Sequence, residues 1–152
     1  MIILSIDPAQ KCGWALFKDG RRIGSGVWKL KPGKYEGSGM AFLRLRTYLG
    51  ELFRDYKIDA VVYEDVAFNR GGAATFWYSG IVATVQTMCA DHGAPYSGIA
   101  VATVKRRATG NGGAGKPAML AAARAEWGMF VTDDNEADAL WIGIVLHEEL
   151  TP

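Results

Sequence analysis

Hydrophobic and polar positions alternate along the chain with periods that change in a readable order. The opening stretch "MIILSID" is a short apolar run closed by Pro8, the pattern of a buried strand. "GWALFKDGRRIGSGVWKL" follows as two strand-like stretches flanking Asp19-Gly20, a two-residue hairpin signal. A glycine-rich loop around "KPGKYEGSG" then leads into "MAFLRLRTYLGELFRDY", where Phe42, Leu45, Leu49, Leu52 and Phe53 recur at helical spacing. "IDAVVYED" predicts a second buried strand and "GAATFWYSGIVATVQTMCADHG" a long apolar helix ended by Gly93. "APYSGIA" predicts a further strand, followed by a basic turn, a helix after Pro117, and a last helix in "NEADALWIGIVLHEEL". The order is three meandering antiparallel strands, then helix, strand, helix, strand, helix. It predicts an α/β fold, a mixed sheet with helices on both faces, in a single domain over residues 1–152.

Composition narrows the classes. The chain has 152 residues, 49% hydrophobic and 22% charged, a globular profile. No apolar stretch is long enough for a bilayer-spanning helix, and the N-terminus has neither a basic lead nor a small-residue cleavage site, so a cytoplasmic setting without a membrane is expected. Two cysteines, Cys12 and Cys89, are too few for a disulfide framework or a zinc site. The net charge of +1 conceals an uneven distribution. Basic residues dominate the first fifty positions. Lys105, Arg106, Arg107, Lys116 and Arg124 form a second basic run with no acid between Val101 and Ala125. After Arg124 every charged side chain other than histidine is acidic. This asymmetry suits a polyanion partner.

"TGNGGAGKPA" matches a phosphate-binding P-loop up to its last letter. There Pro117 replaces the Ser or Thr whose hydroxyl would bind the nucleotide's magnesium, and the preceding segment is basic instead of a buried strand. The loop therefore predicts no nucleotide cofactor, while a helix opening at Pro117 remains suited to meet phosphate.

Three acids stand at telling places. Asp7 closes the first strand, Glu64 closes another, and Asp138 interrupts the otherwise apolar "ADALWIGIVL". An acid at the end of a buried strand is costly without a partner or a metal. If the two strands are neighbours and the last helix packs across them, three carboxylates meet, and a hard divalent cation with oxygen ligands is the natural neutraliser. Each acid alone also fits a loop cap, with Asp134 or Asn135 as the N-cap of the last helix.

These residues, taken together, resemble the RuvC-like Holliday-junction resolvases of the RNase H-like superfamily, particularly short phage-encoded ones. "ILSIDPAQKCGWAL" resembles the family's opening strand, with Gly13 at the turn into the hairpin. "VVYEDVAF" is similar to the strand carrying its glutamate, "VKRRATGNGGAGKPAML" to its basic segment, and "NEADALWIGI" to its closing motif. The resemblance implies a homodimeric, magnesium-dependent endonuclease, with manganese as a substitute, that nicks a four-way DNA junction symmetrically. It implies Asp7, Glu64 and Asp138 as catalytic metal ligands, and Lys116 near the scissile group. Lys105, Arg106, Arg107 and Lys116 fall on the DNA side, with Phe68 and Arg70 after the glutamate strand also facing DNA. In the family the closing motif carries two aspartates three apart; here the first falls on Asn135, with Asp134 one residue earlier. Either supplies the fourth ligand, with Asn135 taken as the inward residue. The long helix containing "ATFWYSGIVATV" is the expected dimer face. A broader branched-DNA or hybrid nuclease, and a non-cleaving junction-binding protein, are the alternatives.

Overall fold

A computed structural model describes residues 1–66 and 71–152. Among these residues five strands form one sheet in the order β3-β2-β1-β4-β5: β1 (Ile2–Asp7), β2 (Lys11–Lys18), β3 (Arg21–Lys29), β4 (Ala60–Asp65) and β5 (Tyr96–Ala100). β1, β2 and β3 pair antiparallel, and β4 and β5 add in parallel to β1. The hairpin turns on Asp19 (φ 50°) and Gly20 (φ 79°), the two left-handed residues that an Asp-Gly type I′ turn requires.

Side-chain alternation sorts the strands onto two cores. Leu4, Ile6, Leu16, Val61 and Tyr63 face α1 (Gly39–Asp55) and α2 (Gly72–His92). Ile3, Ala15, Phe17 and Val62 face the other side, covered by α3 (Val101–Thr109), α4 (Lys116–Trp127) and α5 (Asp134–Leu150). Asp7 and Glu64 share the parity of the second set and so point toward α5. α2 ends at Gly93 in the left-handed conformation (φ 67°) that permits a C-terminal cap.

α5 lies on the sheet at unusually short range because small groups recur along one of its faces. A Cβ at Gly13 would collide with the Asn135 carbonyl, and one at Gly143 would lie 2.5 Å from the Phe17 ring. Between them the buried Ser5 hydroxyl donates to the Ala139 carbonyl at 2.6 Å. Asn135, Ala139 and Gly143 are spaced four apart, one stripe of the helix. Two readings of the sequence are corrected here. Gly13 does not sit at a turn; it pairs with Asp7 inside β2, where a side chain would push α5 off the sheet. The basic segment is not a turn either but α3, whose Val104 is buried while its charged residues lie on the outer turns.

The N-terminus of α5 is fixed twice. Asp133, not Asp134 or Asn135, is the N-cap, its carboxylate accepting the Asn135 amide at 2.7 Å. The buried Glu136 accepts a 2.6 Å hydrogen bond from Ser25 of β3, and Ser25 in turn accepts from the Arg22 guanidinium, also at 2.6 Å. The relay from Arg22 through Ser25 gives the buried Glu136 carboxylate a hydrogen-bond partner.

Candidate active site

β1 and β4 are neighbours and parallel, paired up to Ile6 opposite Tyr63, so their C-terminal residues Asp7 and Glu64 emerge side by side. α5 brings Asp138 across them. Asp7 is buried; its carboxyl is pushed well above the ordinary carboxylate range, first by burial and then by Glu64, Asp138 and Asp134. Asp138 is pushed up to about 7 by burial, Glu64 and Asp134, with Lys105 and Lys116 opposing. Burial also raises Glu64, and its hydrogen bond with Asp7 and the charge of Lys105 pull it back. A hydrogen bond between two carboxyl groups requires a proton between them, so Asp7 and Glu64 titrate as a pair.

The acids thus form one electrostatic unit in which Glu64 and Asp134 hinder the ionisation of Asp7 and Asp138. Among the described residues, no three His, Cys, Asp or Glu side chains converge on one point at ligand distance. The donor set is nevertheless what a hard divalent cation takes: carboxylate oxygens only, partly buried and mutually repelling. A narrow cleft beside them is lined by Glu64, Lys105, Asp138, Val104 and Met119.

Basic residues border the cleft from α3 and α4. Lys105 lies within electrostatic reach of both Glu64 and Asp138. Lys116 occupies the first turn of α4, largely exposed, with its ammonium 3.5 Å from Asp134. The loop before it is folded by Asn111, whose side chain accepts the Gly113 amide at 2.9 Å. Arg106 is exposed over that loop, its guanidinium bordering Gly112. Arg107 makes a two-pronged ion pair with Glu148 near the end of α5, at 2.6 and 2.8 Å. Phe68 and Arg70 lie outside the described residues.

Asp134 stands one helical turn before Asp138 and acts on both Asp7 and Asp138. Asn135, about 100° around the helix from it, places its backbone carbonyl against Gly13.

Sequence reasoning missed Tyr78. Its hydroxyl donates to the Glu64 carbonyl at 2.9 Å and accepts the Val66 amide at 3.2 Å. The last pair between β1 and β4 is Ile6–Tyr63, and Pro8, which follows Asp7, has no N–H to continue the ladder. A side chain from α2 therefore supplies the rung that the strand cannot. Tyr78 sits in an apolar helical pattern that reads as core, and only the proline directly after Asp7 signals that a substitute is needed. Trp127 and Trp141 do pack as core, edge to face at 4.8 Å.

The order 3-2-1-4-5 with helices on both faces, and acids at the ends of the two central strands, defines an RNase H-like fold in its RuvC form. Two solved structures are similar over almost the whole chain. Thermus thermophilus RuvC superposes with a TM-score of 0.79 at 20% identity, covering 99% of this chain and 97% of that one. T. thermophilus RuvC in complex with Holliday junction substrate gives the same TM-score and identity, covering 95% and 91%. No family model matches the sequence, and no curated protein matches it.

Proposed function

We propose that the protein is a divalent-metal-dependent endonuclease that resolves four-way DNA junctions by paired nicks. The observation that carries this reading is the mutual repulsion of Asp7, Glu64 and Asp138 at the ends of two adjacent strands and the helix across them. Burying such a cluster costs stability, and the cost has a purpose if a cation is bound there. The RuvC fold and the similar structure solved with a Holliday junction support the choice of substrate.

Asp7, Glu64 and Asp138 would hold magnesium or manganese, with Asp134 rather than Asn135 as the fourth ligand. Asp134 carries charge and already acts on the other acids, whereas Asn135 brings a neutral amide. When bound, the ion would neutralise the carboxylates and polarise the scissile phosphate. Lys116, on a helix N-terminus, stabilises the charge that grows on the phosphorus oxygens during attack, and Lys105 holds the phosphate against the cleft. Arg106 adds a backbone contact. Phe68 and Arg70 belong to the segment that would meet the junction centre. Two active sites acting on one junction require a second copy, and the outward face of α2, with Phe76 half exposed and Ala83 and Thr87 beyond it, is the surface for it.

The test is a nicking assay on a four-way junction, a fork, an RNA–DNA hybrid and linear duplex, with magnesium or manganese. Symmetric paired nicks on the junction are expected, falling at least about a thousandfold in Asp7→Asn. Nicking that survives this change would remove the reading; preference for the fork or hybrid would keep the chemistry and change the substrate.

A further inference from the structure

Lys105, Arg106 and Lys116 approach the acids from one side, the β5 and α4 side. The opposite side carries a second group of cations. Lys11 begins β2, four residues after Asp7, and Lys29 ends β3; the sheet register places them directly opposite one another at the same end as the acids. Gly13, Ala15 and Phe17 lie on the α5 face, so Lys11 and its partner Lys29 share the face of Asp7 and Glu64. The Leu30 amide donates to the Gln10 carbonyl at 2.8 Å, carrying the ladder one step further, and Lys31 and Lys34 follow. Lys11, Lys29, Lys31 and Lys34 are all exposed, and none forms an ion pair among the described residues.

Two like charges directly opposite on a sheet destabilise it. At the far end of the same hairpin, Lys18 faces Arg21, but there the Asp19 carboxylate, itself paired with the N-terminal ammonium, also lies beside Lys18. Among the described residues neither Lys11 nor Lys29 has an acid within ion-pair distance. The one acid of the following loop, Glu36, is consumed: its carboxylate takes two hydrogen bonds from Arg44 and one from the Gly33 amide. That clamp fastens the loop to α1 and leaves Lys31 and Lys34 outside it, next to Tyr35, which is 93% exposed.

We infer that Lys11, Lys29, Lys31 and Lys34 form a second DNA-backbone tract, gripping the strand on the side of the scissile phosphate opposite to Lys105 and Lys116. The inference rests on the nuclease reading for its ligand. A polyanion crossing the strand ends is the partner whose charge matches cations on both flanks of one acidic site. With two flanks engaged, the phosphate is held over the acids from both directions, and neither flank alone sets its position.

The experiment measures junction affinity by fluorescence anisotropy in calcium, from 50 to 200 mM salt, for the wild type and for the triple variant Lys11→Gln, Lys29→Gln, Lys31→Gln. Each lost phosphate contact removes about 0.9 from the log–log salt slope, so the triple variant's slope should be shallower by about 2 to 3. The fall in affinity across that range should shrink by about fortyfold. The paired control, Lys18→Gln with Arg21→Gln, removes two charges from the other end of the same hairpin and should keep the wild-type slope. A triple variant with the wild-type slope, beside a wild type that binds and nicks, overturns this inference alone. Equal losses in triple variant and control reduce the tract to net charge and overturn it too. A wild type that does not bind the junction at all removes both this inference and the nuclease reading.

Discussion

The two ends of α5 treat charge in opposite ways. Near its N-terminus, Asp138 lies among Glu64, Asp134 and Asp7, and its carboxyl is raised to about 7. Near its C-terminus, Glu148 lies against the Arg107 guanidinium, and its carboxyl is held below the ordinary range. The helix and the sheet beneath it are shared, so the contrast comes from the neighbours. One end gathers like charges in a buried place, where Glu64 and Asp134 make Asp138 harder to ionise. The other pairs opposite charges at the surface, where solvent limits what the pair contributes. A helix selected only for stability would carry the second arrangement at both ends.

The largest break in that comparison is Asp138→Asn. The folded carboxyl binds its proton more tightly than the unfolded chain does, so its contribution to stability is fully present below about pH 4 and is lost as pH rises through about 7. Replacing it with a neutral amide removes that loss. The variant should melt close to wild type at pH 4 and several degrees higher at pH 8 in chelator, corresponding to a few kcal/mol. Metal-dependent nicking should fall at least about a thousandfold in the same variant. A melting point at pH 8 equal to or below that of the wild type would mean that Asp138 is compensated in the free protein.

A smaller effect is expected at Tyr78, which touches the same site through the backbone of Glu64 and Val66. Tyr78→Phe keeps the ring and removes the hydroxyl that joins Glu64 and Val66. With one net hydrogen-bond contribution lost, kcat should fall about three- to tenfold while junction affinity stays unchanged, and the Val66 amide should exchange faster with solvent. If Val66 keeps its protection and kcat is unaltered, the ladder beyond Tyr63 does not depend on this side chain.

The difference between these positions explains what was legible in the sequence. Asp7, Glu64 and Asp138 are visible because a charge in an apolar run is an anomaly, and the strand-end periods place two of them before any coordinates are known. The sheet follows from the Asp19-Gly20 turn and the order of strand and helix periods. Tyr78, Ser5 and Gly13 are not visible in the same way, because each acts through contact with a backbone distant in sequence. Ser5 reaches Ala139 and Gly13 lies beneath Asn135, and neither pairing leaves a local pattern. Arg107 shows the converse. Its place in the basic run reads as a DNA contact, but α3 is helical, so consecutive cations point about 100° apart and only some can face the cleft. Periodicity in "VATVKRRATG" is too short to fix that rotation in advance.

Arg107 and Glu148 therefore make the most modest change the most informative about position. The pair is bidentate, but both side chains are nearly half exposed, at 48% and 44%, so solvent screens it, and Arg107 also rests 5.5 Å above the Trp141 ring. Glu148→Gln should cost about 0 to 1 kcal/mol, which for a chain of this length lowers the melting point by at most about 2 to 4 °C. The sign with pH is the reverse of that for Asp138. The depressed carboxyl stabilises the fold above its unfolded value and loses that contribution as pH falls through the folded one, so wild type and variant should converge in acid. The salt slope for junction binding separates the two roles of the arginine. If Arg107 belongs to α5, Arg107→Gln leaves that slope as it was, whereas Lys105→Gln lowers it by about 0.9. Equal drops for the two substitutions would return Arg107 to the DNA side and show that Glu148 releases it when a polyanion arrives.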